Sequence, residues 1–111
     1  LDQFLDSDKY QIVFSEELFN EFLEVVHREK FNRYFNDLNI KILIEIINDK
    51  ALFVKVISIV NECRDLKDNF LLSLAIDGDV DYLITGDNDL LSLKHFEKTS
   101  ILTINDFIST L

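Results

Sequence analysis

Acidic and capping side chains follow each of the predicted β-strands of this sequence. In chain order they are Ser15 and Glu21, Asp65 and Asp68, Asp87 and Asp89, and Asn105 and Asp106. The carboxyl ends of parallel strands form one edge of an open sheet, where ligands bind, so we expect these side chains to converge. Two carboxylates about 4 Å apart repel each other by roughly 4 kcal/mol at an effective dielectric constant near 20. Such a group stays ionised only if a cation neutralises it.

The residue types in this group indicate both the cation and the chemistry. Ligands that are all oxygen suit Mg²⁺ or Mn²⁺ better than zinc. A metal ion held by carboxylates can polarise a phosphate and convert bound water to hydroxide at neutral pH. We therefore predict metal-dependent hydrolysis of phosphodiester bonds, with Mg²⁺ or Mn²⁺ as the cofactor.

Asp65 and Asp68 have a structural interpretation as well. Asp65 is placed to cap the next helix, and Asp68 can stabilise the same N-terminus through the helix dipole. Asp68 shares a helix face with Leu72 and Ala75. We therefore expect it to face inward, where a carboxylate needs a partner.

The other acidic residues also have alternatives. Glu21 lies among apolar residues of its predicted helix, and a solvated position on the helix flank is the structural interpretation. Asp87 directly follows Gly86 after a strand that we expect to be buried, which favours a functional role. Asp89 could cap the short helix that begins there, and Asp106 is interpreted as a cap.

Two further features are rejected as sites. The alternating acids of residues 77–81 are similar to a calcium loop, but Tyr82 stands where such a loop requires glycine. Cys63 has no activating base nearby in the sequence, so we interpret it as a buried, unreactive thiol.

The charge of the chain limits its partners. The 21 acidic and 11 basic residues give a net charge of −10, which argues against a general DNA coat or a binder of anionic membrane surfaces. The basic stretch Arg28, Lys30 and Arg33 is either a guide for a nucleic-acid backbone or a solvated helix end. The charge is compatible with nucleic acid as a substrate held locally through metal ions.

Strands and helices alternate along the chain. We predict strands at residues 10–14, 51–58, 82–85 and 101–104, and helices at 16–28, 37–48, 89–93 and 105–111, with another that ends near residue 76. Residues 31–36 are either a short helix or an irregular connection. Strands about 20 to 40 residues apart, with helices between them, favour parallel pairing through right-handed crossovers. We therefore predict an α/β fold, a three-layer α/β/α sandwich with a mostly parallel sheet, as a single domain over residues 1–111.

Composition agrees with a domain of this kind. The chain has 111 residues, 48% of them hydrophobic, which is enough for one packed core. A single Cys excludes an intramolecular disulfide and favours a reducing compartment. No apolar run approaches the length of about 18 residues that a membrane span needs. We expect a cytoplasmic protein, and because the sequence lacks Met, we expect the natural chain to begin upstream of Leu1.

Residues 15–21, 65–75, 81–91 and 101–107 carry a family resemblance. In this order and spacing they resemble the PIN-domain family, in particular the PIN-type toxins of bacterial toxin–antitoxin systems. The resemblance implies a metal-dependent ribonuclease fold with a quartet of acidic residues. By position it implies Glu21, Asp68 and Asp87 as catalytic metal ligands for Mg²⁺ or Mn²⁺, with Asp65 as an accessory and Asp89 as a further ligand.

The resemblance also implies partners and a missing element. The implied partners are an RNA substrate, a cognate antitoxin protein and a second copy of the chain in a homodimer. Family members begin with a strand that ends in an Asp-Thr-Asn-like motif, and no such motif precedes Tyr10. We therefore expect this sequence to lack the first strand and its metal-binding Asp, so that the domain is N-terminally incomplete. The alternative function is a catalytically disabled PIN-like scaffold that acts as a protein-interaction module.

Overall fold

The structure is a computed structural model that describes residues 10–28 and 37–110 of the chain. Its mixture of helices and strands confirms the predicted α/β class. The strands are β1 (Val13–Phe14), β2 (Leu52–Phe53), β3 (Tyr82–Ile84), β4 (His95–Phe96) and β5 (Thr99–Leu102), and the helices are α1 (Glu16–Val26), α2 (Asp37–Lys50), α3 (Leu66–Asp77), α4 (Asn88–Leu91) and α5 (Ile104–Ser109). The chain divides into two compact units, with the division between Val54 and Lys55. No helix in the described ranges has the length and apolar character needed to cross a membrane.

The first unit contains a pair of parallel strands, β1 and β2. Helix α1 begins after Ser15, which is fully buried and has extended backbone angles. Its hydroxyl accepts a hydrogen bond from the Leu18 backbone N–H at 3.0 Å, which confirms the predicted N-cap. The rings of Phe14, Phe19 and Phe53 pack with centroids 5.5–6.2 Å apart, so aromatic contacts hold α1 against both strands.

The predicted strand at residues 51–58 is mostly not a strand. Only Leu52–Phe53 pairs with β1, and the backbone N–H groups of Ile57 and Ser58 instead donate to Asp77 Oδ2 at 2.6 and 2.8 Å. The Ser58 hydroxyl donates to Asp77 Oδ1. These hydrogen bonds, the one from the Ser58 side chain first, lower the pKa of Asp77 below its ordinary value of 3.8. A carboxylate from α3 thus satisfies backbone groups that a neighbouring strand would otherwise bind.

The second unit contains a three-stranded sheet in the order β3-β5-β4. β3 and β5 are parallel, as expected for strands joined through a helix, whereas β4 and β5 are antiparallel. The sequence pattern does not predict β4. The residues flanking it, Lys94 and Glu97, have left-handed backbone angles, with φ of 65° and 52°. Because neither is Gly or Asn, the sequence carries no turn signal for this hairpin.

The core of the second unit connects two helices to the sheet. Leu72 of α3 and Leu90 of α4 are completely buried and form one cluster with Ile101 of β5. Burying a leucine side chain contributes about 1.5–3 kcal/mol relative to leaving it exposed. These contacts position the first turns of α3 and α4 with respect to β5, and those turns carry the acidic residues described below.

Candidate metal centre

Three of the predicted metal ligands converge in the second unit. Asp68, Asp87 and Asp89 each offer one carboxylate oxygen, and these oxygens all lie within 4.8 Å of one another. Asp68 comes from the first turn of α3, whereas Asp87 and Asp89 come from the start of α4, directly after β3. Residues about 20 positions apart in the chain therefore form a single carboxylate cluster.

Asp68 is the buried member of the carboxylate cluster. It is 5% exposed, as expected from its apolar helix face. No residue in the described ranges donates a hydrogen bond to its carboxylate or forms an ion pair with it. Burial raises the pKa of Asp68 above its ordinary value of 3.8, and the negative charges of Asp87, Asp65 and Asp89 raise it further. In the absence of a cation, burial and the neighbouring negative charges both favour the protonated form of Asp68.

Asp87 is held by its own backbone turn. Its Oδ1 accepts hydrogen bonds from the N–H groups of Asp89 at 2.8 Å and Leu90 at 3.2 Å, which makes Asp87 the N-cap of α4. The alternative in which Asp89 caps this helix is therefore wrong, because a cap must precede the N–H groups that it accepts. The Asp87 N–H donates to Thr85 Oγ1 at 3.1 Å. With Oδ1 used in the cap, Oδ2 of Asp87 can face a cation.

Asp65 has the structural role that its position predicts. It is exposed and is the N-cap of α3, with Oδ1 accepting from the Lys67 N–H at 2.8 Å. Its charge acts on Asp68, but it is not one of the three carboxylates of the cluster. A role for Asp65 as an accessory metal ligand stays a prediction.

The remaining predicted site residues are either in the first unit or outside the described residues. Glu21 is an exposed residue of α1 in the first unit. Arg28 directly follows that helix, and its guanidinium lies 3.7 Å from the carboxylate of Glu24, with both side chains exposed. Lys30 and Arg33 lie outside the described residues.

The last helix has a different cap from the one predicted. Thr103, rather than Asn105 or Asp106, is the N-cap of α5, and its hydroxyl accepts from the Asp106 N–H at 3.1 Å. The prediction placed the start of the helix too late, because β5 ends at Leu102 rather than at Ile104. Asp106 is exposed in the first turn of α5.

The acidic residues in the stretch 77–81 have bonding partners within the second unit. Lys98 Nζ lies 3.0 Å from Asp79 Oδ1 and 3.4 Å from Asp81 Oδ1. Asp77 accepts its hydrogen bonds from Ile57 and Ser58. Unlike Asp68, these carboxylates have partners, which agrees with the rejection of a calcium loop here.

Asn69 is a site residue that the sequence pattern does not identify. It is 6% exposed and adjacent to Asp68. Its Oδ1 accepts from the Cys63 N–H at 2.7 Å, and its Nδ2 donates to the Cys63 carbonyl at 2.8 Å. Periodicity cannot show that an amide side chain reaches back to a residue before its helix. The two bonds hold the segment before α3 against the first turn of that helix.

Asn69→Asp is expected to lower the free energy of unfolding by about 1–3 kcal/mol. The substitution removes the Nδ2 donor, leaves the Cys63 carbonyl without its partner, and adds a charge beside Asp68. Urea denaturation at neutral pH measures the change. Asn61→Asp, at an exposed position, is the matched control and should stay within about 0.5 kcal/mol of the wild type. Equal unfolding midpoints for the two variants would contradict the prediction.

Cys63 lies beside the carboxylate cluster. It is partly buried and packs against the core that contains Leu72 and Leu90. Burial raises the pKa of the thiol, and so do negative charges that include all three members of the cluster. Both effects disfavour the thiolate, which supports the interpretation of Cys63 as an unreactive thiol.

The chemistry of the donor set fits a divalent cation. Its ligands are carboxylate oxygens, its buried member lacks a hydrogen-bonding partner among the described residues, and its oxygens are close enough to share one ion. Hard divalent cations take such oxygen ligands.

Comparison with known proteins places the chain in a family. No curated protein and no solved structure matches it at a significant level. The sequence model of one family, described as PIN domain, matches residues 1–89, which include all three residues of the carboxylate cluster. The match covers more than half of the 111 residues. The chain therefore belongs to the PIN-domain family.

Proposed function

We propose that the chain is a metal-dependent endoribonuclease that hydrolyses phosphodiester bonds of RNA. PIN domains are usually nucleases, so family membership supports a nuclease-type function. The observation that carries the proposal is the convergence of Asp68, Asp87 and Asp89, whose carboxylate oxygens lie within 4.8 Å of one another. We assign these three residues as ligands of Mg²⁺ or Mn²⁺.

Each carboxylate of the cluster contributes differently to holding the ion. Asp68 is buried and repelled by its neighbours, so its carboxylate gains most from a nearby positive charge. Asp87 is oriented through Oδ1, so little freedom remains to be lost when Oδ2 binds. Asp89 is tied to the same cap through its N–H. When bound, the ion would polarise the scissile phosphate and supply a nucleophilic water at neutral pH.

Further residues enter the proposal through their positions in the family motifs. Glu21 and Asp65 match positions that are expected to add metal ligands. Arg28, Lys30 and Arg33 are proposed to contact RNA, because they form a basic stretch in a chain whose net charge is −10.

The wider role also belongs to the proposal. We place the protein in the cytoplasm as the toxin of a toxin–antitoxin pair, silenced by a cognate antitoxin and active as a homodimer. This role is supported by the resemblance of residues 15–21, 65–75 and 81–91 to PIN-type toxins. The same resemblance supports a single domain with a three-layer sandwich and a mostly parallel sheet. The single free Cys agrees with a reducing compartment.

The proposed function is tested by incubating the full-length protein with labelled single-stranded RNA and with DNA of the same sequence. We expect RNA cleavage with Mn²⁺ or Mg²⁺, none with EDTA, and little cleavage of DNA. Asp87→Asn should abolish the reaction, because it removes a ligand and the charge that binds the ion.

Other results would change the assignment. Equal cleavage of DNA would leave a nuclease without the proposed preference for RNA. If the protein neither cleaves RNA nor binds Mn²⁺ in a calorimetric titration, the proposal is wrong and a non-catalytic scaffold becomes the better description.

A further inference from the structure

The segment before α3 presents one arginine between two anchored residues. The backbone of Cys63 is held on both its N–H and its carbonyl by the Asn69 side chain. Asp65 is held as the N-cap of α3. Arg64 lies between them and is exposed. Its backbone is therefore fixed on both sides before any ligand binds.

This arginine lies in the segment that leads into α3, the helix that carries Asp68. Asn69, the neighbour of Asp68, holds the N–H and the carbonyl of Cys63 at 2.7 and 2.8 Å, so the residue before Arg64 lies against the first turn of α3. On the other side, Asp65 is the N-cap of α3, whose first turn carries Asp68. Arg64 therefore lies beside the first turn of α3, which carries Asp68 of the proposed metal centre.

The charge of Arg64 is not used within the part of the chain that the structure describes. Its guanidinium forms no hydrogen bond or ion pair with a described residue. An arginine that served to neutralise the carboxylates would be paired with them and would compete with a metal ion. Arg64 instead remains available to an external anion.

We propose that Arg64 binds a phosphate of the RNA backbone next to the one that is cleaved, and so positions the substrate at the carboxylate cluster. The inference rests on the proposed function and adds a substrate contact to it. Guanidinium groups bind phosphate oxygens through two parallel N–H donors, which fixes orientation as well as affinity. A chain with a net charge of −10 needs such local cations to hold a polyanion.

The test measures RNA binding without cleavage, in a protein that carries Asp68→Asn to prevent the reaction. Fluorescence anisotropy of a labelled single-stranded RNA is recorded over a range of salt concentrations. Adding Arg64→Gln should weaken binding about tenfold and reduce the slope of log affinity against log salt by about 0.7, the loss of one phosphate contact. Arg64→Lys should recover the slope but only part of the affinity.

Two controls separate a substrate contact from a structural effect. Lys55→Gln removes another exposed positive charge, from the segment after β2, and should leave affinity and slope nearly unchanged. Arg64→Gln in the otherwise wild-type protein should bind Mn²⁺ with the affinity of the wild type in calorimetry. Loss of Mn²⁺ binding would show that Arg64 supports the metal centre itself, which overturns the inference.

Failure of the inference is distinguishable from failure of the proposed function. If Asp68→Asn abolishes cleavage but Arg64→Gln leaves the RNA affinity and salt slope unchanged, the function stands and the role of Arg64 is wrong. If the full-length protein does not cleave RNA but Arg64→Gln lowers the slope as expected, the contact is supported and the catalytic proposal fails.

Discussion

Asp68→Asn is expected to slow metal-dependent RNA cleavage by about a thousandfold. Asn has nearly the same shape as Asp, so the substitution removes a charge without leaving a cavity. A catalytic metal ion supplies several kcal/mol of transition-state stabilisation, and a loss of about 4 kcal/mol corresponds to this factor. Asp68 is the buried member of the cluster, at 5% exposure, so its ligand oxygen is held in place by the surrounding core. Single-turnover rates with labelled RNA and excess protein at fixed Mn²⁺ measure it.

Asp106→Asn is the matched control for this experiment. It makes the same chemical change at an exposed position in the first turn of α5, outside the carboxylate cluster. Its cleavage rate should equal that of the wild type. If Asp68→Asn cleaves RNA as fast as Asp106→Asn does, Asp68 is not a metal ligand and the assignment of the centre is wrong.

Asp68→Asn is also expected to change stability. Without metal it should stabilise the protein, and with metal it should remove the stabilisation that Mn²⁺ gives the wild type. In EDTA, Asp68→Asn should raise the free energy of unfolding by roughly 0.5–2 kcal/mol, because it relieves repulsion and desolvation in the cluster. In the wild type, Mn²⁺ at 100 times its dissociation constant should add about 2.7 kcal/mol, or roughly 10 °C in melting temperature. The variant should gain little from Mn²⁺. Urea and thermal unfolding of the wild type and of the variant, each with Mn²⁺ and with EDTA, measure these four stabilities.

The contribution of Asp68 to the stability of the metal-free wild type is expected to fall as pH rises. The pKa of Asp68 is higher in the folded protein than its ordinary value of 3.8, so the folded state binds its proton more tightly than the unfolded state does. This proton contributes stability that is fully present below 3.8 and is lost as pH rises through the folded pKa. The advantage of Asp68→Asn in EDTA should therefore be greatest at neutral pH and should shrink on acidification toward 3.8. A variant less stable than the wild type at neutral pH in EDTA would contradict the prediction.

Local chemistry explains most of what could be predicted from the sequence. The caps at Ser15 and Asp65 depend on N–H groups two or three residues away, so a short pattern is sufficient to identify them. The inward direction of Asp68 follows from helix periodicity, because Leu72 and Ala75 share its face. The convergence of Asp68 with Asp87 was predicted on the assumption that parallel strands bring their carboxyl ends to one edge. In the structure β2 and β3 belong to separate sheets, and it is the shared core of Leu72 and Leu90 that brings α3 and α4 together.

Features that depend on contacts between distant residues could not be predicted. The predicted strand at residues 51–58 pairs with β1 only at Leu52–Phe53, and the backbone N–H groups of Ile57 and Ser58 donate instead to Asp77, about 20 positions away. The hairpin of β4 and β5 forms although Lys94 and Glu97 are not typical turn residues. The sequence by itself thus determined the α/β class and the caps at Ser15 and Asp65, since each of these follows from neighbours along a helix or strand. Only the tertiary structure decided which carboxylates form the cluster and which bind Lys98 or Ser58 instead. The reason is that burial and bonding partners are supplied by segments far away in the chain.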